Sequence, residues 1–162
     1  MSNLATDLGS RYVEVGNLQD LEAAIVRVEA ALEATPEDHP DRPKLWNNLG
    51  NCVSRRYKRT GNPQDLEAAI ASSEAAVEVT PEDHPDRAGC LNNLAVHLSS
   101  RYERTGNLQD LEVAIASTEA AVAAKPEDHP DRARLLGNLG NRLSTRYERT
   151  GPCPTWRQRL RE

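Results

Sequence analysis

The chain has 162 residues, a formal net charge of −5 at pH 7 and only 4% aromatic residues. This acidic balance argues against nucleic-acid partners, because proteins that bind nucleic acids concentrate basic side chains on one surface. No apolar run is long enough to span a membrane, no signal peptide follows Met1, and three cysteines lie at unrelated positions, so the sequence predicts a cytoplasmic protein with no membrane partner.

A 45-residue repeat organises almost the whole chain. A period of this length is typical of a solenoid, in which each unit buries its apolar face against the neighbouring units. The repeat is marked by one tyrosine per unit and by an unchanged Pro-Glu-Asp-His-Pro-Asp-Arg loop: Tyr12, Tyr57, Tyr102 and Tyr147, with the loop at 36–42, 81–87 and 126–132. The repeat therefore predicts a linear stack of similar units.

Each unit is predicted to be a hairpin of two helices, A and then B. Residues 3–16 are predicted to form a first A helix that lacks its opening turn. The further A helices are predicted at 44–60, 89–105 and 134–150, and the B helices at 17–35, 62–80 and 107–125. This gives about seven helices in a single array over residues 1–151, with units at 3–35, 44–80, 89–125 and 134–151.

The second unit illustrates the basis of this prediction. Its A helix has an apolar residue every four positions, and its B helix has an apolar or small residue at helical spacing. These positions are Leu45, Leu49, Val53 and Tyr57 in helix A, and Leu66, Ala69, Ile70, Ser73, Ala76 and Val77 in helix B. Gly61 is predicted as a left-handed C-cap, Asn62 as the N-cap of helix B, and Asp83 as the N-cap of the following A helix.

The motif Trp46-x-x-Leu49-Gly50-x-x-Val53, followed by Ala69, Ala76 and Pro81, resembles the tetratricopeptide repeat. The segment 83–95 is similar to the repeats of kinesin light chains. The full unit is similar to repeat arrays attached to nucleotide-binding signalling proteins and caspase-like proteases of bacteria and fungi. The resemblance implies an all-α fold, an α-α superhelix of helical hairpins, and protein or peptide partners.

In such arrays the A helices line a concave groove, so their polar positions are the candidate binding residues. An asparagine side chain offers both a donor and an acceptor, and a row of them can hold the backbone of an extended peptide. The candidate partner-binding residues are Asn47, Asn48, Asn51, Asn92, Asn93, Asn138 and Asn141, together with Arg55. The alternative is that these asparagines bond neighbouring helices and fix the stagger of the repeats.

Two rows of arginines lie near the ends of the A helices. Arginine can grip a carboxylate of a ligand, but pairing with glutamates of helix B is the simpler expectation. The rows comprise Arg11, Arg56, Arg101 and Arg146, with Arg59, Arg104 and Arg149, and the glutamates are Glu67, Glu74, Glu112 and Glu119. We therefore predict that the arginines are mainly structural.

The sequence contains no constellation that predicts chemistry. There is no glycine-rich phosphate loop, no nucleophile elbow and no cysteine paired with a motif-bearing histidine. The loop histidines lack the spacing of a metal site, and His97 is expected at the surface or in the groove. We predict no catalytic residues, no metal and no cofactor.

The leading prediction is therefore a non-catalytic protein-interaction scaffold. Two alternatives stay open at this stage. One is self-association, giving a homodimer through exposed terminal repeats. The other is that the chain is a sensor fragment of a larger signalling ATPase or protease. The near-identity of the copies also leaves open whether the ligand is itself repetitive or the array is mainly structural.

Residues 152–162 depart from the repeat. With AGG for Arg157 and TTG for Leu160, a shift of the reading frame by one base turns positions 153–161 into Leu-Pro-Asp-Leu-Glu-Ala-Ala-Ile-Ala. This agrees with 108–116 at seven of nine places. We therefore expect that 152–162 is an aberrant tail replacing a fourth B helix after a one-base loss. The alternative is a short capping helix that begins near Thr155 and presents Trp156 and Leu160 on one face.

Overall fold

The computed structural model describes residues 18–151, and all regular structure in this range is helical. Six helices follow one another: α1 Leu18–Ala34, α2 Arg42–Thr60, α3 Pro63–Val79, α4 Arg87–Thr105, α5 Leu108–Ala123 and α6 Pro130–Thr150. Helices α2, α4 and α6 are the A helices, and α1, α3 and α5 are the B helices. The A helix predicted at 3–16 and the tail 152–162 lie outside the described residues.

Consecutive helices pack against one another along the whole described range, and the A helices α2 and α4 also contact each other. The predicted α-α superhelix is therefore confirmed. The core lies between the layers, where each A helix meets the B helices before and after it. One cluster, for example, joins Leu66 and Ile70 of α3 to Leu94 and Leu98 of α4 and to Ala114 of α5.

The segment that joins helix A to helix B has the predicted local structure. Gly61 has a φ of +71°, in the left-handed region that favours glycine, and its N–H donates to the Tyr57 carbonyl at 2.7 Å. The Asn62 side chain accepts a hydrogen bond from the N–H of Gln64 at 3.1 Å. Gly106 and Asn107 repeat the arrangement between α4 and α5. This turn explains why Thr-Gly-Asn occurs both at 60–62 and at 105–107.

The predicted start of the A helices is wrong in detail. Asp83 is not an N-cap, since α4 begins at Arg87 and its N-cap residue is Asp86. The acceptor in this loop is Nδ1 of His84, which receives the N–H of Asp86 at 3.1 Å. His129 caps α6 in the same way through the N–H of Asp131. The hydrogen-bond acceptor at the start of these A helices is therefore an imidazole nitrogen, two residues before the N–H, and not the predicted carboxylate of Asp83.

The last residue of the Pro-Glu-Asp-His-Pro-Asp-Arg loop closes the preceding B helix. Arg87 donates to the carbonyls of Val77 and Thr80 at the end of α3. The final carbonyls of a helix lack partners within it, and a cation there also complements the helix dipole. Arg42 and Arg132 bond the corresponding carbonyls of α1 and α5. The loop is therefore a structural joint between units.

Candidate functional site

The predicted asparagines form hydrogen bonds between successive A helices. Asn93 Nδ2 of α4 donates to Asn47 Oδ1 of α2 at 2.8 Å, and Asn138 Nδ2 of α6 donates to Asn92 Oδ1 of α4 at 3.0 Å. Asn92 is buried, with 5% of its surface exposed. Part of the predicted set thus bonds neighbouring helices and lies where it fixes the stagger of the repeats.

The other asparagines of the set are available to solvent. Asn48 and Asn141 are exposed and Asn51 is half-exposed. Arg55 is exposed too, and it forms no ion pair with any residue of the described range 18–151. These four side chains keep hydrogen-bonding capacity for a partner.

The arginine rows are mainly used inside the array. Arg56 forms a two-point hydrogen bond with Asp65, with Nη2–Oδ1 at 2.8 Å, and Arg101 forms the same pair with Asp110. Asp65 is buried with 4% exposure, so the carboxylate of this pair is held away from water. Hydrogen bonding to the aspartate raises the pKa of both arginines. Sequence reasoning missed these partners, although the spacing of nine residues from arginine to aspartate recurs.

Two of the four predicted glutamates of the B helices pair with arginines of the next unit, whereas Glu74 and Glu119 form no ion pair among the described residues. Arg101 meets Glu67 at 2.6 Å and Arg146 meets Glu112 at 3.0 Å. These pairs are partly exposed, so each contributes under about 1 kcal/mol. These pairs connect one unit to the next. Together with the aspartate pairs, they show that Arg56, Arg101 and Arg146 make contacts within the array.

One face of each A helix remains exposed or half-exposed beside the asparagine pairs. We call it the A-helix stripe; its positions alternate in steps of four and three residues, so they lie on one side of the helix. It comprises Lys44, Asn48, Asn51, Arg55 and Lys58 in α2; Gly89, Asn93, Val96, Ser100 and Glu103 in α4; and Arg134, Asn138, Asn141, Thr145 and Glu148 in α6. The α2 stripe has three positive charges and no negative one. The stripe therefore changes in charge from one unit to the next.

His97 is not at the surface, contrary to the prediction. It is 2% exposed, and its Nδ1 lies 2.9 Å from Ser73 Oγ in α3. Burial, with a smaller contribution from the positive charge of Lys58, lowers the pKa of His97 to about 4. The histidine is therefore a neutral core residue at neutral pH. The helical period within α4 could not predict the burial of His97, because the residue that it packs against, Ser73, belongs to the preceding B helix.

Arg142 of α6 occupies the repeat position of His97. It is 7% exposed, and its Nε donates to Ser99 Oγ of α4 at 3.0 Å. It lines a cleft of about 180 Å³ between α4 and α6, together with Ser99, Tyr102, Glu103, Leu111, Asn138, Asn141 and Thr145. Arg142 is not among the binding residues predicted from the sequence. The sequence nevertheless contains a signal for it, because this repeat position differs among the copies: it is Cys52 in α2, His97 in α4 and Arg142 in α6.

The remaining reactive side chains have structural surroundings. Cys90 is buried, and burial raises the pKa of its thiol. Cys153 lies outside the described residues. Within 18–151 no three or more histidine, cysteine, aspartate or glutamate side chains are grouped as a metal site requires. Among the helices of this range, none is both long enough and apolar enough to cross a membrane.

The comparison with protein families matches residues 87–131 to the tetratricopeptide repeat. This segment is one whole unit: α4, α5 and the loop that leads into α6. None of the curated proteins compared with the chain matches it. The closer resemblances to kinesin light chains and to signalling proteins stay predictions. The family match to one unit, together with the stack of helical hairpins, supports a tetratricopeptide-like repeat protein.

Proposed function

We propose that this chain is a non-catalytic interaction module that binds an extended protein segment along the A-helix stripe. Tetratricopeptide repeats serve in general as protein-interaction scaffolds, which supports a protein partner. The stripe offers amides for the backbone of the bound segment, from the exposed Asn48 and Asn141 and the half-exposed Asn51. It also offers unpaired cations on α2, namely Lys44, Arg55 and Lys58.

The main support is where the copies differ. Residues 44–60 and 89–105, which belong to A helices, differ at nine of 17 positions. Residues 62–78 and 107–123, which belong to B helices, differ at only four of 17. On the stripe, lysine at 44 becomes glycine, arginine at 55 becomes serine and lysine at 58 becomes glutamate. An array with a purely structural role has no need of such changes at exposed positions, whereas a surface that contacts different residues of one ligand does.

The experiment is a selection of peptides from a random library on the purified chain, followed by affinity measurements on variants. We expect Asn48→Ala combined with Asn51→Ala and Arg55→Ala to weaken the selected peptides at least tenfold, equivalent to about 1.4 kcal/mol. The matched control changes three exposed residues of the B helices, Glu74→Ala, Glu78→Ala and Val113→Ala, and should leave affinity unchanged. Loss of binding in the control triple variant, with none in the stripe variant, would reject the proposal.

A further inference from the structure

The cleft between α4 and α6 has features of a binding site that its counterpart lacks. We call the contact between two successive A helices a junction. At the junction of α2 with α4, His97 occupies the position that Arg142 has at the junction of α4 with α6. The ring of His97 is bonded to Ser73 in the core. Arg142 is instead directed to Ser99 of the neighbouring A helix, and Thr118, the counterpart of Ser73, bonds the carbonyl of Ala114. The side chain of Arg142 therefore lies between the two A helices, beside the stripe.

Arg142 has no counter-ion among the described residues. Its one hydrogen bond to another side chain is to the neutral hydroxyl of Ser99, although a guanidinium has five N–H donors. Glu103 lines the same cleft but forms no ion pair with it. Burial lowers the pKa of Arg142, since the charge is withdrawn from water without compensation. By contrast, a carboxylate or a backbone carbonyl lies against the guanidinium in each of the contacts made by Arg42, Arg56, Arg87, Arg101, Arg132 and Arg146.

The dimensions and charge of the cleft restrict what it could hold. Its volume of about 180 Å³ is well below that of a cofactor pocket, which is typically at least about 300 Å³. It suits one side chain of a bound segment. Glu103 disfavours a doubly charged anion such as a phosphate, because like charges repel at close range. A singly charged, planar carboxylate fits both the cleft and the fork of a guanidinium.

We propose that this cleft binds an aspartate or glutamate side chain of the partner segment, with Arg142 as the cation that holds it. Tyr102 and Leu111 line the cleft and provide apolar contact for the methylene groups of such a side chain. Asn141, at the exposed edge, can donate to the second carboxylate oxygen or to the backbone of the segment. The proposal rests on the proposed function, since Glu103, Asn138, Asn141 and Thr145 belong both to the cleft and to the A-helix stripe, and it adds a requirement for an acidic residue.

The first test uses a probe of known chemistry on the full chain. N-acetylglutamate methylamide is titrated at pH 7.5 while the arginine Nε–H signals are followed by ¹⁵N NMR, with the glutamine analogue as the matched control. We expect one arginine signal to shift saturably with the glutamate probe and to stay in place with the glutamine analogue. Equal shifts with both probes would overturn the proposal, since they would show that charge is not recognised.

Two variants assign the shift to the cleft. Arg142→His reproduces the residue of the preceding junction, and Thr118 offers a hydroxyl at the position of Ser73, so this variant should fold and bind the probe at least tenfold more weakly. Glu103→Gln removes the repelling charge and should bind it two- to threefold more tightly. Unchanged binding in Arg142→His, with the helical circular-dichroism signal retained, would reject the role of Arg142.

Peptides selected on the whole chain separate this proposal from the proposed function. If stripe variants weaken these peptides and Arg142→His does not, the cleft proposal fails and binding along the stripe stands. If Arg142→His and the loss of an acidic residue from the peptide weaken binding to the same extent and without additivity, the carboxylate contact is supported. If neither stripe nor cleft variants change the affinity, both the proposed function and the cleft proposal fail.

Discussion

His97 and Arg142 occupy the same position in successive units, yet their surroundings differ. His97 is a neutral side chain enclosed between α3 and α4 and bonded to Ser73. Arg142 is a charged side chain that reaches Ser99 and lines an open cleft. Their neighbours differ as well, with Lys58 near the first and Glu103 near the second. Units built from the same repeat thus form one closed junction and one open junction.

The largest expected effect is a loss of folding stability in acid that depends on His97, at the closed junction, and not on Arg142. The pKa of His97 is about 4 in the folded chain and about 6.5 when unfolded, so the unfolded chain takes up the proton first. This contribution to stability is complete above pH 6.5 and is lost as the pH falls to 4. We expect a loss of about 3 kcal/mol over that window.

Urea unfolding at pH 7.5, 5.5 and 4.0 checks this value, with His97→Gln to remove the titrating group. The variant should show a pH dependence smaller by the amount assigned to His97, while Arg142→Gln should keep that of the wild type. Parallel pH dependences for the wild type and His97→Gln would contradict the assignment of a titrating core residue.

A second prediction transfers the open junction into the closed one. His97→Arg places a guanidinium next to Lys58 in a buried position, and we expect it to lower the free energy of unfolding by about 2 kcal/mol. Adding Lys58→Glu reproduces the residue pair of the second junction and should recover about 1 kcal/mol. Thermal and urea unfolding of the single and double variants measure both values. An additive effect of the two changes would show that residue 58 does not decide which side chain the position accepts.

The smallest expected effect concerns the asparagine pair that both junctions contain. Each has one asparagine pair, Asn47–Asn93 in the first and Asn92–Asn138 in the second. Asn92→Ala leaves the donor of Asn138 without its partner at a partly buried site, and we expect a loss of about 1 kcal/mol. Asn48→Ala, at an exposed position of the same helix set, should cost under about 0.5 kcal/mol. Equal losses in the two variants would remove the distinction between pairing and ligand-facing asparagines.

Several features of the fold were predictable because they depend on local sequence. The helical period of Leu66, Ala69 and Ile70, the left-handed Gly61 and the cap at Asn62 follow from short-range geometry, and the structure confirms all of them. The 45-residue repeat then multiplies each local feature, which makes the superhelix predictable as well. The start of the A helices was wrong because two acceptors, an imidazole and a carboxylate, compete in the same loop.

The site was less predictable, because its residues acquire their roles between units. The sequence alone determined the helices, the turns and the stacked architecture, since each requires only neighbours within a few residues or a copy of the same unit. Tertiary structure alone decided that Asn92 pairs with Asn138, that Asp65 is the partner of Arg56, and that His97 is enclosed. It also decided that Arg142 lines a cleft, because burial and pairing depend on side chains that packing brings together from 9 to 46 residues away.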